Sequence, residues 1–406
     1  MGQRPIQRRV DDSVVAVRQG TPFMVRRARG YVPASVAQLN APAPILAVGA
    51  DLKNAIALAV GGEVFVSQHI GDLGDLETDR AFEEAIEDLL TMYAVDRETL
   101  VIAHDLHPQY VSTRFALNQS GARHIAIQHH EAHIASVLLE HRRLNETVIG
   151  IALDGTGYGR DETIWGGEVL VGSVQNGFQR QALFEPVLMP GGDAAARHPV
   201  QAAAAYLPDV DPSILEGEPF AFPARFRQAQ ALLRTKTRTI PTTSIGRLFD
   251  AAAAICGFIR EISYEGQAAK WLEHQACDGH SGKIQVDTSV MSPQSALITM
   301  VDARRSGYQV ADLSAWFHGW FVGKVVQAVI NAAAESKRRT IVFSGGVWQN
   351  RLLLDETVAA LPDQFDLLWG QQIPVNGGGI CVGQIAIASC GMRIAGNSSS
   401  LHSQDG

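Results

Sequence analysis

The sequence predicts an α/β protein of two lobes with a nucleotide cleft between them. Three observations carry that prediction. Short apolar runs of strand length alternate with amphipathic stretches of helical period through much of the chain. The same opening of strand, turn and strand occurs twice, from residue 45 and again from residue 148. Glycine clusters sit near strand ends, at 154–159, 344–346 and 377–379, where bare backbone lets N–H groups approach an anion.

Composition narrows the class. The 406 residues are 46% hydrophobic and 19% charged, an ordinary globular balance with length for two or three cores. The formal net charge of −8 gives no sign of a general nucleic-acid binder. Cys256, Cys277, Cys381 and Cys390 are widely spaced and form no CxxC pair. They read as reduced thiols of a cytoplasmic protein, not as a disulfide framework or zinc ribbon. The start, MGQRPIQRRV, lacks the apolar stretch of a secretion signal, and the sequence reading finds no run that would span a membrane.

The elements follow in order. Residues 1–30 carry seven arginines against two aspartates and read as a solvated basic β-ribbon, with strands around Val14–Val17 and Phe23–Val25. Residues 31–44, with three prolines, read as a linker. ILAVGA from residue 45 is a strand, Lys53 and Asn54 turn it into AIALAV, and Gly61-Gly62 turns that into EVFVSQHI. Residues 78–93 make an amphipathic helix through Phe82, Ile86, Leu89 and Leu90. LVIAHD at 100–105 is a buried strand, with His104 and His107 in structural roles. Residues 125–127 form a strand leading into a helix that carries His129 and His133, and lobe 1 ends near residue 147.

Lobe 2 spans 148–395. The apolar run 148–153 is a strand, 154–159 a glycine turn, and 165–172 the returning strand. The middle reads poorly: 188–193 as a loop, 207–219 and 234–244 as polar loops or insertions, with helices opening after Ser244 and after Tyr264. Residues 312–335 form a long helix whose aromatic stripe is core. IVF at 341–343 is a buried strand running into the Ser344–Asn350 turn, 367–370 a last strand, and 376–380 the entry to a closing helix. Residues 396–406 read as a disordered tail. Two lobes with these openings are the pattern of an actin-like nucleotide-binding fold.

One stretch suggests chemistry. His129 and His133 stand one helical turn apart on one face, and Asp154 closes the next strand. Two imidazoles and a carboxylate suit a divalent metal. The pattern is not HExxH, because position 130 is His, and Glu131 points off the face.

The motifs RPIQRRVDDSVV, VRRARGYVP, HDLHPQYVSTRFA, QHHEAHIAS, LDGTGYGRDETIWGGE, MPGGDAAARHP, SIGRLFDAAAAICG, SYEGQAA, FSGGVWQNRLLL and NGGGICVGQ span nearly the whole chain. In them the sequence resembles the carboxy-terminal part of the HypF hydrogenase-maturation carbamoyltransferases, within the wider TsaD-like and O-carbamoyltransferase (ASKHA) group. The resemblance implies a two-lobed actin-like fold with ATP or carbamoyl-adenylate in the cleft. It implies carbamoyl transfer to a C-terminal cysteine of HypE, on the route to the cyanide ligands of NiFe hydrogenase. It implies iron or zinc on His129, His133 and Asp154, the catalytic group. Lys53, Asn54, Gly155, Thr156, Gly157, Ser344, Gly345 and Gly346 would hold the nucleotide, with Glu265 and Asn350 beside them.

Two departures qualify it. The acylphosphatase-like, zinc and YrdC-like domains that precede this region in HypF proteins match nothing here, so a separate YrdC-like protein is the expected source of carbamoyl-adenylate. The family's last metal ligand, an Asp, aligns with Gly377, which implies a more open metal site. The alternatives are a non-catalytic, nucleotide-binding module that docks HypE, and O-carbamoylation of a small molecule. No nucleic-acid or membrane partner is expected.

Overall fold

The computed structural model describes residues 8–284 and 291–401. Two sheets organise them. The first has six strands in the order Ala37–Gln38, Glu63–Val66, Ala57–Val60, Ile45–Ala47, Val101–Asp105, Arg123–Ile127. Its first four strands are antiparallel neighbours, and its last two join in parallel. The second has seven: Val187–Pro190, Thr239–Thr242, Ile164–Ser173, Val148–Tyr158, Thr340–Ser344 and Asp366–Leu368 in line, with Gly177–Ala182 paired to Ile164–Ser173. This is an α/β architecture of two sheet-centred lobes, as the repeated opening predicts.

The two sheets share a layer. Helices His129–Glu140 and Ile380–Leu401 lie between them, in one apolar cluster that joins Ile45, Ala57 and Val101 of the first sheet to Val148, Ala152, Leu170 and Val342 of the second. Helix Leu76–Met92 covers the outer face of the first sheet through Phe82, Ile86 and Leu90. Helices Pro199–Tyr206, Ile245–Cys256 and Val310–Ser336 cover that of the second. The aromatic stripe of the long helix is core, as expected: Trp316, Phe317, Trp320 and Phe321 are all buried.

The histidine helix forms because its residues bury on every side. Gln128 caps it, accepting from the backbone N–H groups of His130 and Glu131. Ile134, Val137, Leu138 and Leu139 are fully or almost fully buried, each worth about 1.5–3 kcal/mol of transfer energy. The closing helix approaches it closely at Gly383, where a Cβ would stand 1.8 Å from the Ala132 carbonyl oxygen. That helix also corrects the membrane reading: Gly377–Ile394 is long and apolar enough to cross a bilayer by composition, and 72% of it is buried inside the fold.

Several expectations change. The stretch 154–159 is not a turn. The strand continues to Tyr158, a register shift between Trp165 and Gly167 absorbs the irregularity, and the reversal falls at 159–163. The expected loop at 188–193 holds strand Val187–Pro190 and the start of helix Asp193–Arg197, and 234–244 holds strand Thr239–Thr242. Those two short strands pair with each other across the sequence, a contact no local pattern announces. Helix Pro212–Glu216 lies within 207–219. The expected linker contributes edge strand Ala37–Gln38. The expected tail begins inside the closing helix, which runs to Leu401; 402–406 fall outside the described residues.

Candidate metal and nucleotide site

The two lobes bring three side chains together. His129 and His133 come from the first turns of the central helix, and Asp154 from the strand that starts lobe 2. One donor atom from each lies within 4.8 Å of the other two. Both imidazoles turn Nε2 toward the same oxygen: Asp154 Oδ2 is 2.8 Å from His133 Nε2 and 3.5 Å from His129 Nε2. The histidines are 4% and 0% exposed, so water competes little.

The outer faces of the rings are tied down. His129 Nδ1 lies 2.7 Å from Asp105 Oδ2, and Asp105 is fully buried at the end of its strand. Asp105 also accepts from the His107 backbone N–H at 2.9 Å. A carboxylate behind a histidine keeps the proton on Nδ1 and presents the Nε2 lone pair inward. His133 Nδ1 lies 3.4 Å from the Ser344 hydroxyl. Burial pulls the His129 pKa down, but Asp105 and Asp154 outweigh it and hold it at about 10. Burial keeps His133 below its ordinary value, against the pull of Asp154. Burial alone would raise Asp154, yet hydrogen bonds from both histidines hold it well below the usual carboxylate range. Without metal, a proton on His129 thus sits between two carboxylates. The donor set, its burial and its Asp105 brace fit a divalent ion.

The other predicted residues divide. Gly155 and Gly346 lie against Asp154. Gly155 N–H donates to Asp154 Oδ1 at 2.8 Å, and a Cβ on Gly346 would stand 3.1 Å from that oxygen. Thr156 lies between Gly155 and Gly157 on the same strand end, half-buried. Gly157 packs on His130, leaving no room for a side chain. Gly345 has φ 108, and a Cβ there would stand 2.1 Å from the Leu153 carbonyl oxygen, so a carboxylate at 345 would break the strand rather than merely repel a phosphate.

Ser344 is buried behind His133, not on the cleft wall. Asn54 is wholly buried, its amide donating to the Val48 and Ala50 carbonyls at 2.9 and 2.5 Å, which ties its Nδ2 to the hairpin and leaves its Oδ1 without a partner. Asn350 caps helix Arg351–Ala360 through Leu353 N–H, and its Nδ2 lies 3.0 Å from His318 Nε2. Lys53, with φ 51, ion-pairs with Glu265. These two nucleotide candidates clasp each other from opposite lobes. Gly377 is flanked by Leu52, whose carbonyl oxygen would stand 2.6 Å from an added Cβ.

Sequence reasoning missed Asp105. Its signal was available: a carboxylate closing the apolar strand VIAHD, at the carboxyl end of a sheet strand, where α/β folds put their sites. Tyr110 was also missed. Its ring stacks on His107 at 4.1 Å, and His107 meets Tyr158 edge-on at 5.3 Å, which joins the lobes beside the metal cluster.

Comparison with known proteins places this geometry. Residues 40–140 match the family described as the HypF Kae1-like domain, and 150–384 match the second subdomain of the carbamoyltransferase Kae1-like domain. Carbamoyltransferase HypF of Synechocystis is 36% identical over 94% of this chain and 52% of its own length. A carbamoyltransferase HypF homolog of Cupriavidus necator is 34% identical over 86% of this chain and 92% of its own. A crystal structure of full-length HypF in a phosphate- and nucleotide-bound form superposes with TM-score 0.85 at 33% identity, over 96% of this chain and 62% of that one. The chain thus spans about half the length of full-size curated relatives. With both Kae1-like subdomains matched and the fold superposed, the chain belongs to the HypF carbamoyltransferase family.

Proposed function

We propose that this chain transfers a carbamoyl group from carbamoyl-adenylate, bound in the cleft, to the C-terminal cysteine of a HypE partner. The product would feed the cyanide ligands of NiFe hydrogenase. The observation that carries the reading is the buried, Asp105-braced set of His129, His133 and Asp154 at the lobe junction of a HypF-family chain. Those three residues would hold iron or zinc, which when bound supplies Lewis-acid polarisation of a carbonyl or phosphoryl oxygen.

The chain's own groups do the rest. Asp105 fixes the ring of His129, and Ser344 backs that of His133. Gly155 and Gly346 leave room beside Asp154 for a ligand. Lys53 brings positive charge to the cleft mouth. The partner's thiol loses its proton to solvent, and its sulfur attacks the carbamoyl carbon. A C–S bond forms, and the C–O bond to the AMP phosphate breaks with its electron pair on the phosphate oxygen. Burial pushes the thiols of Cys256 and Cys381 up to about 11 and about 12, which disfavours their thiolates, and none of the four cysteines is among the residues gathered at Asp154, in keeping with a nucleophile carried by the partner. Four free cysteines accord with a reducing, cytoplasmic setting. A YrdC-like activity outside the described residues would supply the adenylate.

One observation favours a second reading, a nucleotide-binding module that docks HypE without catalysis: Gly377 offers no carboxylate where the family's Asp aligns, and little room for one. The test mixes the chain with purified HypE, ATP and carbamoyl phosphate, with and without added carbamoyl-adenylate, and reads the HypE mass. A carbamoyl gain that needs added adenylate supports transfer. No gain with adenylate present, while nucleotide still binds, supports the docking module and contradicts transfer.

A further inference from the structure

Arg27 is 5% exposed and meets no carboxylate among the described residues. Its Nη2 donates to the Tyr31 and Ala34 carbonyls at 2.8 and 3.0 Å, and its Nη1 to the Val66 carbonyl at 3.4 Å. Carbonyls satisfy those N–H groups but do not neutralise the charge, and Nε has no partner. A buried cation left so is costly unless an anion joins it.

The surroundings supply the place. Arg27 lines a shallow hollow, open to solvent, with Arg26, His69, Pro374, Asn376 and Gly378. Among the described residues Asp11, 3.5 Å from Arg26, is the one carboxylate paired with an arginine of the hollow, and both those side chains are partly exposed at its rim. The local field is positive: burial first, then Arg26, Lys53 and Arg9, push the His69 pKa down to about 4, with Asp11 opposing.

We propose that this hollow is a binding site for a small oxyanion of the phosphate class, held by the guanidinium groups of Arg26 and Arg27. Guanidinium matches phosphate oxygens in charge and in fork geometry. The site is distinct from the glycine loops around Asp154 yet touches the same wall. Asn376 donates to the Val25 carbonyl at 3.0 Å on the side of the hollow, while its Cβ lies 3.9 Å from the Cβ position of Gly346, which abuts Asp154. An anion in the hollow braces the 374–378 loop from behind. Inorganic phosphate and the phosphate of a nucleotide share this chemistry.

The test titrates inorganic phosphate, and separately AMP, at constant ionic strength set with chloride, reading thermal stability and phosphorus NMR. The parent is compared with Arg26→Gln, Arg27→Lys, Gly155→Asp and the charge control Arg18→Gln. Arg26 is partly exposed, so Arg26→Gln folds even if Arg27→Lys does not. We expect saturable phosphate binding, weakened about tenfold or more by Arg26→Gln and unmoved by Arg18→Gln. Gly155→Asp, aimed at the proposed nucleotide loops, should weaken AMP and leave phosphate in place. If AMP, too, depends on Arg26, the nucleotide phosphate is the source; if only phosphate does, the free ion is. Absence of saturable binding overturns the inference, as does phosphate binding lost in Gly155→Asp and kept in Arg26→Gln. Failure of carbamoyl transfer would leave it standing.

Discussion

Asp105 touches no ligand position directly; it acts on His129. Replacing it by Asn puts an amide against Nδ1 and lets the ring take the wrong tautomer or turn. Asp105→Asn should cut zinc affinity by about 10- to 100-fold, the usual effect of losing a carboxylate behind a ligating histidine, measured by competition with a chromogenic chelator. Unchanged affinity would remove Asp105 from the site. His318 makes a different residue-scale claim. Its Nδ1 donates to the Ser314 carbonyl at 2.7 Å, and its Nε2 accepts from Asn350 at 3.0 Å, so the ring is neutral. Burial lowers its pKa to about 4, while an unfolded histidine titrates near ~6.5. As pH falls the unfolded chain takes the proton first. The stability owed to neutral His318 is therefore complete above the unfolded value and is lost as pH drops toward the folded one, on the order of 3 kcal/mol in all. His318→Gln should flatten that part of a urea-unfolding series run between about pH 7 and pH 4. These residues also mark how far a sequence speaks. His129, His133 and Asp154 were legible because helical spacing and a strand end put donors together. Asn54, Asn350 and Ser344 looked like ligand contacts, and the fold instead commits their side chains to a hairpin, a helix cap and a histidine. A motif letter does not say which neighbour uses its hydrogen bonds.

At the scale of elements, the histidine helix is held by what it buries against. Gly383→Ala would press a methyl carbon toward the Ala132 carbonyl. It should cost about 1–3 kcal/mol as overpacking, and it should loosen the metal because the displaced helix carries two donors. A variant that melts like the parent would show that the helices part freely there. Strands with continuous apolar runs, such as Thr340–Ser344 and Val148–Tyr158, were legible in the sequence, as was the long aromatic helix. The strands Val187–Pro190 and Thr239–Thr242 were not, since neither alternates cleanly and each exists through the other.

At the scale of the molecule, the Lys53–Glu265 pair joins one lobe to the other. A partly exposed ion pair contributes roughly 0–1 kcal/mol to folding, so its use lies elsewhere. Lys53→Ala should leave the melting temperature nearly unchanged while weakening ATP about tenfold, as loss of one charged phosphate contact would; calorimetric titration reads this directly. The two-lobed plan was legible because the strand–turn–strand opening repeats. The sharing of one helical layer by both sheets was not, because it joins residues from both ends of the chain. That sharing is what brings His129 and His133 of one lobe to Asp154 of the other.

On the proposed reading the two lobes assemble one metal and nucleotide centre around Asp154. Position 377 adds no carboxylate, and Gly377→Asp would drive its side chain into the Leu52 carbonyl instead of restoring one. The donors offered to a metal are thus two imidazoles and one carboxylate, a set that would hold it more weakly than one with a further charged ligand. The direct measurement is zinc or iron content after dialysis against a chelator, with and without ATP. Metal should be lost without nucleotide and about one equivalent kept with it, and none should remain in either condition for Asp154→Ala. A full equivalent kept without nucleotide, or metal kept by Asp154→Ala, would contradict it.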